Sequence, residues 1–362
     1  MRILHVTEAF GGGIVTVLTS LASDQVAAGD DVAIWFMPRP GAPIDPAELG
    51  IHPDVELRRL ERTGRRLRDL GLIFRLVREA LRSGEWDVVH LHSAFAGVLG
   101  RLSYRRHAVG DARLFYSPHG FPFLMLDRSR LARGVFRWIE RRFARRCDGV
   151  IVTWDSEGEV ARAELGVEPI GVLHTGLPPA QIEEFRALPR PQHARPRVGM
   201  IGRVAFQKAP WRFRDVARAV DGADFVWIGG GPDADVRRWL EGIPLTGWLS
   251  PSELTREIQD LDLLVFPSLW EGFPLSLAQA QAMGVPAVAS DVVGNRDIVI
   301  DGVTGRLCAD DAELVAAVRA AVADPGLIRE WSAQAVALAG RLSSVRVAAE
   351  ADAAYRAGGA SD

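Results

Sequence analysis

Gly199-Met-Ile-Gly202-Arg203-Val-Ala-Phe-Gln-Lys208-Ala-Pro210 is the stretch on which the reading of this chain turns. Val198–Ile201 is a short apolar run of the kind that fills a buried parallel strand, and Pro210 suits the first turn of a helix. Strand, glycine-bearing loop and helix in that order begin a βα repeat. The carboxyl edge of such a sheet is where open α/β folds bind their ligands. Arg203 stands just past the strand and Lys208 at the mouth of the helix, so both cations converge on an anion at that edge. A diphosphate fits.

The same theme recurs downstream. Val226-Trp-Ile-Gly229-Gly230-Gly231-Pro232 ends a strand in three glycines, where backbone amides can approach a phosphate or a base. In Val265-Phe-Pro-Ser268-Leu-Trp-Glu271-Gly272-Phe273-Pro274-Leu275 a strand leads to a loop with an acid at its tip, then to a proline suited to a helix start. The amides of Gly272, Phe273 and Leu275 are placed to cradle an anion, and Glu271 to accept hydrogen bonds from sugar hydroxyls. Ser290-Asp-Val-Val-Gly294-Asn295-Arg296-Asp297 brings a further loop to the same edge.

Outward from this core, short apolar runs alternate with amphipathic stretches along the whole chain, the pattern of parallel sheets joined by helices. Strands are expected at 2–6, 32–36, 55–60, 88–91, 114–116 and 150–153, then at 198–201, 224–228, 263–266, 287–289 and 306–308. Helices are expected near 14–28, 65–83, 94–107, 128–146, 156–165, 209–220, 232–241, 251–260, 274–283 and 312–323, with a helical tail over about 327–356. The Pro- and Arg-rich segment beginning at Arg186 reads as a linker. The expected organisation is an α/β protein of two Rossmann-like domains facing across a cleft. Residues 1–186 form the first domain, 187–197 the linker and 198–326 the second. The helices of 327–362 pack back toward the first domain.

Composition narrows the setting. The chain has 362 residues, enough for two cores. No apolar run reaches the length of a membrane span and the first strand begins at once, so neither a signal peptide nor a transmembrane helix is expected. Two cysteines, Cys147 and Cys308, argue for a reducing compartment and against a disulfide or zinc framework. The cytoplasm is the expected location. Of 43 basic residues 42 are Arg, and Lys208 is the only Lys; Asn295 is the only Asn. In an Arg-biased chain, a retained ammonium is a candidate for a position that needs one; survival by chance is the plain alternative, and it weakens if Lys208 and Asn295 fall in one site. Residues 58–82 carry nine Arg against three acids and residues 128–146 eight against one. With Phe74, Leu76, Phe136, Trp138 and Phe143 interleaved, helices 65–83 and 128–146 are candidates for docking on the anionic inner face of a membrane. The plain alternative is a solvated face. Nucleic acid is not among the expected partners.

Gly202-Arg203…Lys208, Pro267-Ser268…Glu271-Gly-Phe-Pro-Leu, Ala282-Met-Gly-Val-Pro286 and Gly294-Asn295-Arg296-Asp297…Asp301-Gly-Val-Thr-Gly305 together resemble the C-terminal signature of glycosyltransferase family 4. The resemblance is dense over about 197–310 and sparse before it. It implies a GT-B fold and a retaining transfer from a nucleotide diphosphate-sugar, UDP-sugar by the family's habit, to a saccharide or lipid-linked acceptor. A place in cell-envelope or exopolysaccharide synthesis follows. It implies further that Arg203 and Lys208 bind the donor diphosphate and that Glu271 contacts the sugar. Gly272, Phe273, Pro274 and Leu275 are implied to bind phosphate and sugar by backbone, and Gly247-Trp248-Leu249-Ser250 to line the base. In the first half, Gly12 and Gly13 after strand one are implied to approach the diphosphate and acceptor, and His119, in Tyr116-Ser-Pro-His119-Gly120, to sit beside the sugar. Gly202, Gly230 and Asn295 complete the expected donor site.

One position departs from the pattern. Where the family has a second acid, eight residues after the first, this chain has Gln279, which accepts from a ribose hydroxyl but offers neither charge nor bidentate geometry. Gln281 lies further round the same helix. No cofactor and no metal are expected. Asp260-Leu-Asp262 precedes a strand rather than following one, and Asp233-Ala-Asp235 opens a helix as a cap; Arg203, Lys208 and helix termini supply the positive field instead.

Three other readings stand beside this one. A nicotinamide oxidoreductase would want Gly or Ala at Thr16 and an acid where Pro38-Arg39-Pro40 stands. A GT-B nucleotide-sugar 2-epimerase or hydrolase keeps the fold and changes the reaction, and a catalytically weak sugar-nucleotide-binding homologue keeps only the site.

Overall fold

The computed structural model describes residues 1–39, 49–104, 112–189 and 193–358. Pro40, residues 105–107 of the expected third helix, 190–192 of the expected linker and the chain from 359 lie outside the described residues. Two compact units emerge: Met1–Leu124, Arg128–Thr175 and Ser344–Asp362 make the first, and Met125–Asp127 with Gly176–Ser343 the second.

In chain order the first unit holds β1 (Arg2–Phe10), α1 (Gly13–Ala27), β2 (Asp31–Pro38), β3 (Glu56–Arg59), α2 (Arg66–Arg82), β4 (Val88–His92) and α3 (Ala94–Ser103). It continues with β5 (Arg113–Ser117), α4 (Arg130–Phe143), β6 (Gly149–Thr153), α5 (Asp155–Val160) and β7 (Gly171–Leu173). The strands form one sheet in the order β3-β2-β1-β4-β5-β6-β7, every pairing parallel. Its central strands are buried on both faces, as helix-covered parallel strands must be. Leu4, Val6, Val89, Leu91, Leu114 and Tyr116 face one core, together with Val77 and Ala80 of α2. Ile3, Ile34, Val88, Phe115 and Ile151 face the other, under Leu18 and Leu21 of α1. Beneath α4, Arg101 of α3 pairs with Glu140 at 2.7 Å, both almost wholly buried, and Tyr116 donates to the same carboxylate.

The second unit runs α6 (Pro179–Ala187), β8 (Arg197–Ile201), α7 (Pro210–Ala219), β9 (Asp224–Ile228), α8 (Asp233–Trp239), α9 (Pro251–Gln259) and β10 (Leu263–Phe266). Then come α10 (Leu275–Ala282), β11 (Ala287–Ser290), α11 (Asn295–Ile298), β12 (Gly305–Cys308), α12 (Asp311–Ala323) and α13 (Pro325–Leu338). Its five parallel strands lie in the order β12-β11-β10-β8-β9.

The chain ends its described course in α14 (Val347–Ala357), which belongs to the first unit and buries Val347, Ala351, Ala354 and Tyr355 in that unit's second core. The helical tail expected over 327–356 is thus two helices, parted by a tight turn at Ala339–Leu342 and extended backbone at Ser343. Three of these elements were not expected. β7 is only Gly171-Val-Leu, too short to alternate; α6 begins at Pro179 where the sequence offers no apolar stripe; and α11 is a single turn of helix where a loop was expected. Among the described residues no helix is long and apolar enough to cross a membrane.

Candidate functional site

In the second unit, the loop after β8 is laced to the loop after β9. Gly202 N donates to Ile228 O at 2.9 Å, Val204 N to Gly230 O at 2.8 Å, and Trp227 Nε1 to Gly202 O at 2.8 Å. Gly229 has φ 131°, and a Cβ there would stand 2.3 Å from Gly202 O, so no larger residue permits this approach. The chain then makes a tight turn at Phe206–Lys208, crosses Ala209 in the left-handed region at φ 47°, and enters α7 at Pro210.

That turn aims Lys208 back along the strand edge. Its Nζ donates to Glu271 Oε1 at 2.7 Å and lies 4.5 Å from the centre of the Phe266 ring. Gln207 Nε2 donates to the other oxygen, Glu271 Oε2, at 3.2 Å and to Trp270 O at 2.9 Å. Glu271 is buried, and both its oxygens are engaged. Arg203, one turn of chain away, is exposed, and among the described residues its guanidinium has no hydrogen bond or ion pair. Gly294, at φ 83°, backs the acid loop so closely that a Cβ would fall 1.9 Å from Gly272 O. Gly272 and Phe273 lead to Pro274 and the N-terminus of α10, which begins at Leu275 without a side-chain cap. Unbonded amides at such an end attract anions.

The remaining expected residues fall into two groups. Trp248 is largely exposed with its indole against Gly230, and Leu249 and Gln279 are half-buried. Asn295 is fully buried; its Nδ2 donates to Ser290 O at 2.9 Å, while its Oδ1 and Ser268 Oγ have no partner among the described residues. Gln281 is structural, its Nε2 donating to Val285 O and Thr304 O at 3.0 Å each. The Asp260-Leu-Asp262 acids are held at the strand starts: Asp262 accepts from Arg197 N and His193 Nδ1, and Asp260 pairs with Arg197.

The first unit presents a different edge. The residues that follow β4, β5 and β6 include Ser93, His119 and Trp154, at φ 79°, 51° and 72°. Non-glycine residues in the left-handed region cost energy and persist where surrounding contacts over-determine them. Those contacts are on hand. Glu8 at the end of β1 accepts from Ser93 Oγ, Phe95 N and Ala96 N, capping α3. Glu157 accepts from Gly120 N at 2.6 Å and Thr153 N at 2.7 Å, holding the His119 loop. Gly12, at φ 65°, and Gly13 are exposed at the start of α1.

His119 is half-buried and ends a chain of rings. His119 Nε2 meets His92 Nδ1 at 2.8 Å, His92 Nε2 meets His5 Nδ1 at 2.9 Å, and His5 Nε2 meets Gln25 Oε1 at 2.8 Å. Burial pushes His5 down to about 4 against the pull of the Gln25 hydrogen bond, and burial with the nearby His5 ring pushes His119 down to about 4. His90 and His92 are likewise driven well down, chiefly by burial. All four rings are therefore neutral near pH 7. Sequence reasoning placed His119 at this edge but missed His5 and Gln25 behind it. The available signal was period two: His5, His90 and His92 interrupt otherwise apolar strands at positions that share one sheet face.

Residues 11–181 match the family described as Glycosyltransferase Family 4, and residues 195–324 the one described as Glycosyl transferases group 1. An uncharacterised 41.2 kDa protein of the cps region of Klebsiella pneumoniae is 26% identical over 318 residues, 85% of this chain and 86% of that protein. The UDP-Gal:alpha-D-GlcNAc-diphosphoundecaprenol alpha-1,3-galactosyltransferase of Escherichia coli is 28% identical over 249 residues, 60% of this chain and 61% of its own length. Among solved structures, sucrose-phosphate synthase from Thermosynechococcus elongatus superposes with a TM-score of 0.77 at 20% identity, covering 98% of both chains.

Proposed function

Since the chain belongs to glycosyltransferase family 4 and is a glycosyltransferase of the GT-B fold, we propose that it transfers a sugar from a UDP-sugar, with retention, to a saccharide or lipid-linked acceptor of the cell envelope or an exported polysaccharide. The observation that carries this reading is the Lys208–Glu271 pair beside the exposed Arg203, next to the uncapped end of α10. Two cations and a helix terminus on one strand edge make a field suited to a diphosphate, and the adjoining carboxylate suits sugar hydroxyls. The E. coli relative, whose name gives a UDP-sugar donor and a diphosphoundecaprenol-linked acceptor, supports the choice of nucleotide and acceptor class.

In this mechanism the bond from the anomeric carbon to the β-phosphate oxygen breaks while Arg203 and Lys208 stabilise the charge that grows on the diphosphate. The acceptor hydroxyl attacks from the face the phosphate leaves, and its proton passes to the departing phosphate oxygen. No protein nucleophile takes part and no divalent ion is required. Among UDP, GDP and ADP, UDP is expected to raise the melting temperature most; a larger rise with another nucleotide would replace the donor. An inverted product anomer by NMR would end the retaining mechanism, and turnover of UDP-sugar without acceptor would favour the epimerase or hydrolase reading.

The proposal extends to a peripheral seat on the inner face of the membrane through α4. There Leu131, Val135 and Trp138 are exposed at one-turn spacing among Arg130, Arg137, Arg141 and Arg142, whereas Leu76 and Phe136 turn toward the core. Sedimentation with liposomes tests it: binding should rise with anionic lipid, and indifference to lipid charge would dispose of the docking.

A further inference from the structure

The rings of His5, His90 and His92 stand close enough to suggest a metal site, with ligand atoms within 4.8 Å of one another. Each of their six nitrogens nevertheless already has a hydrogen-bond partner. What the partners define is the direction in which protons run.

Two chains lie side by side. In the first, Ser117 Oγ donates to Ile151 O at 2.7 Å, so it accepts from His90 Nε2, and a neutral His90 must then accept at Nδ1 from the Tyr355 hydroxyl at 2.8 Å. A backbone carbonyl cannot turn round, so this direction is fixed. In the second, Gln25 Oε1 accepts from His5 Nε2. His5 Nδ1 then accepts from His92 Nε2, and His92 Nδ1 from His119 Nε2. His119 Nδ1 is left bare, and it has no hydrogen-bond partner among the described residues. Nothing but the Gln25 amide sets this second direction. Were its nitrogen toward His5, every bond would reverse and His119 would carry its proton on Nδ1.

The amide presents Oε1, an atom that can only accept, to His5 Nε2 at 2.8 Å, and its Nε2 has no hydrogen-bond partner among the described residues. Gln25 is 2% exposed, out of reach of water that would let the amide turn.

We propose that Gln25 is a positioning residue, whose buried amide fixes the tautomers of His5, His92 and His119 so that His119 offers Nδ1 as a hydrogen-bond acceptor. Its functional meaning rests on the reading above, in which His119 sits beside the donor sugar and would accept from a sugar hydroxyl there.

The test is 15N NMR of histidine-labelled full-length protein without ligand, with the His119 signals assigned by loss in His119→Gln. Wild type should show a protonated Nε2 and a bare Nδ1 at His119. Gln25→Glu, which keeps an acceptor for His5, should preserve that pattern. Gln25→Met, and independently His5→Phe, should populate the Nδ1–H tautomer. An unchanged His119 in both of these, or an Nδ1–H already dominant in wild type, overturns the proposal. Donor kinetics then judge the other reading: kcat/KM should fall about tenfold in Gln25→Met, the worth of one hydrogen bond, and be spared in Gln25→Glu. A shifted tautomer with unchanged kinetics leaves the relay standing and removes the contact of His119 with the donor instead.

Discussion

At the strand edge of the second unit Lys208 and Glu271 meet as charges 2.7 Å apart, whereas at the corresponding edge of the first His119 ends a row of neutral rings. The backbone is the same in both places: a parallel strand, a loop with a residue in the left-handed region, a helix. The difference lies in what burial is asked to hold. A carboxylate can be buried when an ammonium and an amide satisfy it, and the pair then projects a field toward any anion that arrives. A ring that has shed its charge projects no field but gives hydrogen bonds a direction. Sheet geometry decides where a site forms, and the side chains decide whether it works by charge or by direction.

The comparison is broken most severely at the charged edge. Lys208→Ala is expected to cost about 100-fold to 1,000-fold in turnover at saturating donor, the range for losing one preorganised donor to a developing oxyanion. Arg329→Ala, on the exposed face of α13, should leave turnover unchanged, and equal losses in the two would remove the diphosphate role of Lys208.

Next comes the buried ion pair beneath α4 in the first unit. Arg101→Met leaves Glu140, 1% exposed, without its cation and should destabilise that unit by about 3 kcal/mol in chemical denaturation. A loss below about 1 kcal/mol would show that Tyr116 alone suffices to hold the carboxylate.

The neutral edge should betray itself in acid. Folded His5, His90 and His92 have pKa values depressed below the unfolded value of about 6.5, so as pH falls through that value the unfolded chain takes up protons that the folded one refuses. Stability contributed by neutral burial is intact above about pH 6.5 and is lost below it, by about 1.4 kcal/mol per pH unit for each ring. Between pH 6.5 and 5 the melting transition of the first unit should drop more steeply than that of the second; parallel slopes would contradict the assignment.

The smallest effect sharpens the charged edge. Gln279→Glu should tighten UDP binding by about 1 kcal/mol, roughly fivefold by calorimetric titration, because a carboxylate makes charge-assisted bonds to a diol where an amide does not.

Much of this was legible in the sequence for a physical reason. Every strand expected from an apolar run was found, because buried parallel strands write themselves as β-branched runs and the loops after them as glycine. Lys208 and Glu271 were each placed at the strand edge by sequence, but their ion pair rests on the adjacency of β8 and β10, which the sequence does not print. Three other things were not legible there. β7 is shorter than any periodicity can register. The role of Asn295 as a buried donor to Ser290 depends on how α11 turns inward, which four residues do not encode. The chain from His119 to Gln25 joins positions 119, 92, 5 and 25, and only register between β1, β4 and β5 brings them together.

The membership of α14 in the first unit bears on how the protein is made. A ribosome releases β1 to β7 early, then spends on the order of ten to forty seconds on residues 176–357 before the helix that covers them can emerge. Through that interval Phe115, Ile151 and Leu173 lack the cover of Tyr355, and His90 lacks the hydroxyl it will accept from. The unit that begins the chain is thus the last to be finished, and the nascent protein carries an open apolar face for about half of its synthesis. Chaperone demand should accordingly track the time taken to translate the second unit, so that slowing codons within 176–343 would raise aggregation without altering a single residue.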